Sequence, residues 1–143
     1  MGVRRQGRVL AFQALYAWEH SNSQALPLYD FPWYEQSEMP EQERAQGLAF
    51  ARLLVGGTLE RINEIDELIR RQLDHWDFAR ISKVDLSILR ISVYALVYES
   101  SIPPSVTIDE AIVLAKEFGS SDSYRFVNGV LDGIHKAAEH TEA

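Results

Sequence analysis

The chain of 143 residues contains no cysteine. Disulfide bonds, thiolate metal sites and cysteine nucleophiles are therefore excluded, and nothing in the composition indicates an oxidising compartment. Long apolar runs are also lacking, because no stretch approaches the roughly 18 residues that a membrane span requires. The arginine-containing start has no continuous apolar segment of the signal-peptide type. From these absences we expect a soluble, cytoplasmic protein that makes no membrane contact.

Residue patterns that support catalysis are equally scarce. The four histidines, at positions 20, 75, 135 and 140, fit no metal-ligand spacing. No glycine-rich phosphate loop is present. The carboxylates fall at helix starts or on polar helix faces, where no apolar pocket would raise a pKa. The sequence therefore predicts no enzymatic activity, no metal site and no cofactor.

Charge is distributed unevenly along the chain, whose formal net charge is −7 at pH 7. Residues 1–18 contain Arg4, Arg5 and Arg8 and no acidic residue, whereas the rest carries 11 basic and 21 acidic side chains, a net charge of −10. A basic end on an acidic body predicts a local contact with an anion, together with a second partner surface of different charge.

The first predicted helix, residues 3–19, groups charge and aromatic rings on one face. At about 100° per residue, the arginines at positions 4, 5 and 8 lie beside Phe12 and Tyr16. Guanidinium groups bind phosphate and rings stack on unpaired bases, so this face is typical of a single-stranded nucleic-acid surface. The alternative is a basic, frayed helix end whose rings belong to the core.

Helical periodicity dominates the rest of the chain and no useful β-alternation appears. We expect an all-α fold, in which six or seven helices form one compact domain over residues 1–143. Residues 21–40, with prolines at positions 27, 32 and 40, form a variable connector.

Two further helices are predicted in the middle of the chain. One long helix runs from Glu41 to Leu73, and its adjacent Gly56 and Gly57 mark a place of close helix packing or a bend. Ser82 then caps a central helix that is apolar on most sides. Its charged exceptions are Asp85 and Arg90, for which a cap or a structural salt bridge is the default role.

The pattern of residues 105–134 predicts two short helices, joined by a polar turn that faces water. Thr107 is expected to cap the first helix, with Glu110 as its reciprocal partner. Gly119 is expected to end that helix in a left-handed conformation, and the second helix should start near Tyr124. A DNA-reading helix-turn-helix is disfavoured, because the second helix has no basic cluster on an exposed face.

Apolar stripes indicate which side of each of these two helices is buried. The first helix should bury Ile108, Ile112 and Ala115. The second should bury an apolar stripe made of Val127, Val130, Leu131 and Ile134. Phe126 falls outside that stripe and is expected to be half-exposed.

Three segments carry a resemblance to a known family. They are RRQGRVLAFQALYAWE at the start, VDLSILRISVYAL in the central helix and VTIDEAIVLAKEFGSSDSYRFVNGVLD near the end. With these segments the chain resembles the NusB family of bacterial transcription antitermination factors. The resemblance implies two packed helical bundles, no enzymatic activity, and a heterodimer with the ribosomal protein NusE. It further implies binding to single-stranded boxA RNA of nascent ribosomal transcripts, and read-through by RNA polymerase within an antitermination complex.

The resemblance also implies roles for individual residues. The arginine-rich start, here Arg4, Arg5 and Arg8, is an RNA contact in the family. Tyr16 matches the tyrosine of the family's LYxW segment, near the RNA path.

The remaining matches lie in the second half of the chain. Phe126 corresponds to the phenylalanine of FVNG, also near the RNA. Asp122 corresponds to the aspartate of the FGxxDS turn, at the edge where RNA and complex meet. Asp85 corresponds to an acidic position of the central helix that is associated with NusE contact.

Two alternatives remain beside this interpretation. The chain could be the NusB-like substrate-binding domain of an RNA methyltransferase. It could also be a protein-only adaptor or a homodimer whose arginines are buried at a self-interface.

Overall fold

The computed structural model describes residues 2–20, 39–74 and 76–142. These residues form six α-helices and one short 3₁₀ helix, Phe78–Arg80, with no β-strand, so the prediction of an all-α fold is confirmed. The predicted connector lies, except for Met39 and Pro40, outside the described residues. None of the helices in the described part of the chain is long and apolar enough to cross a bilayer. The helices are α1 (Val3–His20), α2 (Glu41–Glu60), α3 (Ile62–Arg71), α4 (Lys83–Tyr98), α5 (Pro104–Phe118) and α6 (Ser123–Glu142).

Helix α4 is the centre of the structure, as predicted. Ser82 caps it by accepting a hydrogen bond, 3.1 Å long, from the backbone N–H of Asp85. Every residue from 86 to 95 is buried, which requires neighbours on all sides of the helix. Helix α1 packs on α2, α5 packs on α6, and α4 contacts all four, while α3 packs against α2, α4 and α6. The pair α1 and α2 and the pair α5 and α6 therefore pack on one shared central helix, α4.

The predicted long helix is instead two helices. Helix α2 ends at Glu60, Arg61 leaves the helical region with φ −116° and ψ 24°, and α3 begins at Ile62. The glycine pair does not cause this break, because α2 continues through it. Gly57 instead lies against Tyr94 of α4, where an added Cβ would overlap the phenol ring. The prediction of close helix packing at the glycine pair is confirmed for Gly57.

The predicted start and end of α5 were both wrong in detail. The helix begins at Pro104, with Pro103 at the N-cap position, since proline at the first helical position loses no hydrogen bond. Thr107 therefore lies inside the helix and caps nothing; its hydroxyl is buried without a hydrogen-bond partner among the described residues. Gly119 has φ −93° and ψ −172°, which is extended and not left-handed. Its missing side chain instead makes room for Ser123, the first residue of α6.

The buried faces of the last two helices are partly as expected. In α6 the predicted stripe is confirmed, and all four of its residues are buried. In α5 the buried residues are Thr107, Ala111, Leu114 and Ala115, whereas Ile108 and Ile112 are only partly buried. The buried stripe of α5 is therefore shifted by about one residue from the predicted one. Helical periodicity alone does not show from which direction the neighbouring helices pack.

A buried ion network joins three helices. Arg90 of α4 donates two hydrogen bonds of 2.9 Å to the carboxylate of Asp66 on α3. It also donates one of 2.7 Å to Glu19 of α1, which in turn accepts a hydrogen bond of 2.9 Å from Lys83. The default prediction of a structural salt bridge is therefore confirmed for Arg90. The network fixes the end of α1 against the start of α4.

Candidate nucleic-acid and partner interface

The N-terminal arginines occupy two different environments. Arg4 and Arg5 are exposed, but Arg8 is only 8% exposed. The guanidinium carbons of Arg4 and Arg8 lie 4.9 and 5.2 Å from the centre of the Phe50 ring on α2. Burial, opposed by the charge of Glu110 and assisted by the charges of Arg4 and Arg5, lowers the pKa of Arg8 below its ordinary value.

The prediction of one exposed face of three arginines and two rings is wrong for Arg8 and Phe12. Phe12 is buried in the core. Helix α2 packs closely along α1, so that a Cβ added at Gly7 would crowd Phe50 and the carbonyl oxygen of Gly47 on α2. This packing covers the side of α1 on which Arg8 lies, and it leaves only two arginines to meet a ligand directly.

Arg5 is held by a carboxylate of α5. Its Nε donates to Oε2 of Glu110 and its Nη2 donates to Oε1, both at 3.0 Å. These hydrogen bonds, followed by the charge of Glu110, raise the pKa of Arg5 above its ordinary value. Glu110 was expected to cap α5, but it lies nearly two turns inside the helix and binds α1 instead.

A series of aromatic rings leads from α1 to the end of α5. Tyr16 is 37% exposed, and its ring centroid lies 6.3 Å from that of buried Phe12. Phe12 lies 4.9 Å from Phe118, the last residue of α5. With the contact between Arg5 and Glu110, these contacts show that α1 runs alongside α5 in the same direction.

A cavity of about 340 Å³ lies where the first turns of α4 and α6 meet. We call it the aromatic–acidic pocket. It brings together three of the predicted site residues, Asp85, Asp122 and Phe126. It is lined by two rings, two carboxylates, three serines, one arginine and one isoleucine: Trp76, Arg80, Ile81, Ser82, Asp85, Ser120, Asp122, Ser123 and Phe126.

The pocket combines exposed ring surface with acceptor oxygens. Trp76 is 63% exposed, and its ring centroid lies 6.2 Å from that of Phe126. The Oδ1 atom of Asp85 is buried without a hydrogen-bond partner in the described part of the chain. Ionised carboxylates only accept hydrogen bonds, and rings attract cations and stack on bases. The carboxylates and rings of the pocket are therefore suited to a cationic side chain or to the amino edge of a base.

The arginines and the pocket lie at different levels along α5. Glu110, which holds Arg5, and Phe118, which precedes the turn, are about 12 Å apart along the helix axis at 1.5 Å per residue. The structure does not bring the arginines into contact with Asp122 or Phe126.

Two residues of this surface were missed by reasoning from the sequence. Trp76 lies in the non-helical segment between α3 and α4, where periodicity carries no information about exposure. Glu110 was identified only as a capping residue. A tryptophan in an irregular segment was a usable signal. The contact between Arg5 and Glu110 joins positions 105 residues apart, and no local pattern in the sequence indicates it. Among the described residues, no group of three or more potential ligand side chains is arranged to hold a metal ion.

Comparison with known proteins identifies related chains of similar length. The model of the NusB family matches residues 5–136. The transcription antitermination protein NusB of Treponema pallidum (strain Nichols) is 49% identical over 135 residues, which are 94% of each chain. The corresponding protein of Geobacter sulfurreducens is 46% identical over 134 residues, again 94% of each chain.

Solved structures agree with these matches. The structure of T. maritima NusB is 36% identical in sequence and superposes with a TM-score of 0.78, covering 98% of this chain and 97% of that one. A structure of the antitermination factors NusB and NusE in complex with dsRNA contains a chain that is 27% identical. It superposes with a TM-score of 0.81 and covers 94% of this chain and 97% of its own length.

Proposed function

The chain belongs to the NusB family of transcription antitermination proteins, and from that premise we propose that it binds single-stranded boxA RNA together with NusE. In this proposal the complex acts on nascent ribosomal RNA and promotes read-through by RNA polymerase. Members of the family are RNA-binding factors and not enzymes, in agreement with the absence of catalytic patterns in the sequence.

The observation that carries the proposal is the aromatic–acidic pocket. Asp85, Asp122 and Phe126, assigned to partner and RNA contact by resemblance alone, line this single cavity. A surface shared by RNA and a basic protein needs ring faces for bases and carboxylates for cations, and this pocket contains both. The solved complex of a related chain with NusE and dsRNA supports NusE and RNA as the partners of this chain.

We assign the phosphate contacts to the surface beside the middle of α5, where Glu110 holds Arg5. Arg4 and Arg5 are exposed there, and Tyr16 adds a partly exposed ring on the same helix. Arg8 supports this patch from inside by packing on Phe50. Two accessible arginines on an acidic body form a small basic surface, so the chain alone should bind RNA weakly. A basic partner bound beside the patch adds the missing positive charge.

We assign the contact with NusE to Asp85. Its carboxylate lines the pocket and would attract a cationic side chain of a basic protein. Asp85→Asn should therefore weaken binding to NusE. Asp109→Asn removes the same charge from α5, away from the pocket, and is the matched control.

A titration of labelled boxA RNA tests the proposal. The chain and purified NusE are added separately and together, with a scrambled RNA of equal length as the control. The pair should bind boxA more tightly than either protein alone and more tightly than it binds the scrambled RNA. Equal binding of the two RNAs, or no gain from NusE, contradicts the proposal. Light scattering of the same mixtures detects the alternative, a self-associated dimer that NusE does not dissociate.

A further inference from the structure

The ion pair between Arg5 and Glu110 has a geometry that fixes one edge of the guanidinium group. Two N–H groups, on Nε and Nη2, point at the two oxygens of one carboxylate, each at 3.0 Å. This fork is the most directional arrangement that an arginine forms with a carboxylate. It sets the plane of the guanidinium group and not only its position.

The same geometry leaves the outer edge of the guanidinium group unused. Arginine carries five N–H donors, and the pair with Glu110 occupies two of them. The donors that remain are those on Nη1 and the second hydrogen of Nη2, which together form the edge suited to a phosphate oxygen pair. The side chain of Arg5 is 43% exposed, so a ligand can reach it.

Glu110 is not positioned as a simple competitor for Arg5. Its side chain is only 18% exposed. If Arg5 moved away to bind a phosphate, it would leave a largely buried carboxylate without its cation, which is unfavourable. The pair is therefore retained when a ligand approaches from the outer edge.

The geometry points to Glu110 as a positioning residue for RNA: it holds the guanidinium group of Arg5 so that the outer edge faces a phosphate of the bound strand. This inference rests on the RNA contact of Arg5 proposed above. The inference predicts an unexpected direction for the change in RNA affinity when Glu110 is removed. Glu110 is negative and lies within hydrogen-bonding distance of the RNA-binding arginine, yet its removal weakens RNA binding, because a mobile arginine loses orientation and entropy on binding.

The test compares two variants that remove the same charge from the same helix. Glu110→Ala should weaken the binding of labelled boxA RNA, measured with NusE present, by about threefold to fivefold. Glu117→Ala is the control, because Glu117 acts on Arg5 only through its charge within the described residues. That variant should leave RNA binding unchanged or strengthen it slightly. Glu110→Gln keeps one acceptor oxygen and the side-chain volume, and should restore part of the loss.

A double-mutant cycle with Arg5→Ala separates positioning from a general effect on the fold. Once Arg5 is absent, Glu110→Ala should cause no further loss of affinity, and the salt dependence of both Arg5 variants should be the same. If Arg5→Ala alone leaves affinity unchanged, the proposed RNA contact fails. Two results would leave the RNA contact of Arg5 in place but contradict the positioning role of Glu110. In both, Arg5→Ala weakens RNA binding, while Glu110→Ala either strengthens binding or has the same effect as Glu117→Ala. If the Glu110→Ala variant does not fold, the RNA affinity of Glu110→Gln is compared with that of the parent instead: weaker binding supports the positioning role, and equal or stronger binding contradicts it.

Discussion

The indole ring of Trp76 lies 6.2 Å from the phenyl ring of Phe126, measured between ring centroids, with the two planes tilted by 41°. The first ring precedes α4 and the second belongs to the first turns of α6, so the pair marks the rim of the aromatic–acidic pocket. Trp76 is 63% exposed, so a ligand can reach its ring.

We predict that this ring is a base-stacking residue. Trp76→Ala should weaken binding of boxA RNA by the complex with NusE by about 1 to 3 kcal/mol, because base–aromatic stacking contributes that much per base. Binding should be measured by fluorescence anisotropy of labelled RNA. Leu53→Ala, which removes an exposed apolar side chain from α2, is the control and should leave RNA affinity unchanged. Equal effects of the two substitutions would show that the indole ring takes no part in RNA binding.

The network of Arg90, Asp66 and Glu19 predicts a large effect on stability. Arg90→Met leaves the carboxylate of Asp66, which has low exposure, without its cation and leaves Glu19 with Lys83 alone, and should lower the free energy of unfolding by about 3 to 5 kcal/mol. Urea denaturation measures this loss. Arg71→Met removes an exposed arginine that pairs with Glu67 at 3.6 Å on the same helix, and should cost less than about 1 kcal/mol. Similar losses for both variants would mean that the buried network is unimportant for stability.

The same network predicts a loss of stability in acid. Desolvation acts to raise the pKa of Glu19, but hydrogen bonds from Lys83 and Arg90, with the charges of both, outweigh it and lower the pKa below its ordinary value. A carboxyl with a lowered pKa in the folded state stabilises the fold above its unfolded pKa of about 4.3. This contribution is lost as the pH falls through the folded-state pKa. Unfolding free energies measured from pH 7 down to pH 3 should therefore fall less steeply for Glu19→Gln than for the parent; parallel curves would refute this role.

Two glycine substitutions should change stability in opposite directions. Gly57→Ala places a methyl group within the space of the Tyr94 ring, whose hydroxyl is hydrogen-bonded to Glu99. We expect a loss of about 1 to 3 kcal/mol from overpacking. Gly129→Ala adds a methyl group on α6 where no atom lies within 4 Å, and should stabilise the helix by up to about 1 kcal/mol. Thermal unfolding of both variants measures the direction of each change in stability. If Gly57→Ala left stability unchanged, α2 and α4 would be able to move apart at this point.

Local signals in the sequence were sufficient for part of this structure. The capping serine at position 82, the broad apolar surface of α4 and the buried stripe of α6 depend on residues near one another in the chain, and all were predicted. The break at Arg61 was not, because the residues on both sides keep helical spacing and the chain turns only where α3 packs against α4 and α6.

The candidate surface was predictable to a smaller extent. Helical spacing places Arg8 and Phe12 on the same face as Arg4 and Arg5, but it does not show that α2 covers part of this face. The joining of Asp85, Asp122 and Phe126 in one cavity depends on the packing of α4 beside α6. Such contacts between distant positions are set by tertiary packing, and a single sequence without aligned relatives does not report them.

The central claim is that the exposed arginines of α1 contact RNA phosphates in the complex with NusE, and the salt dependence of RNA affinity tests it most directly. The double variant Arg4→Ala/Arg5→Ala should bind boxA RNA more weakly than the parent. Its log–log salt slope should be flatter by about 0.7 for each lost phosphate contact. Arg61→Ala/Arg71→Ala removes the same charge near α3 and should leave the slope unchanged. An unchanged affinity and slope for the Arg4 and Arg5 variant would contradict the account.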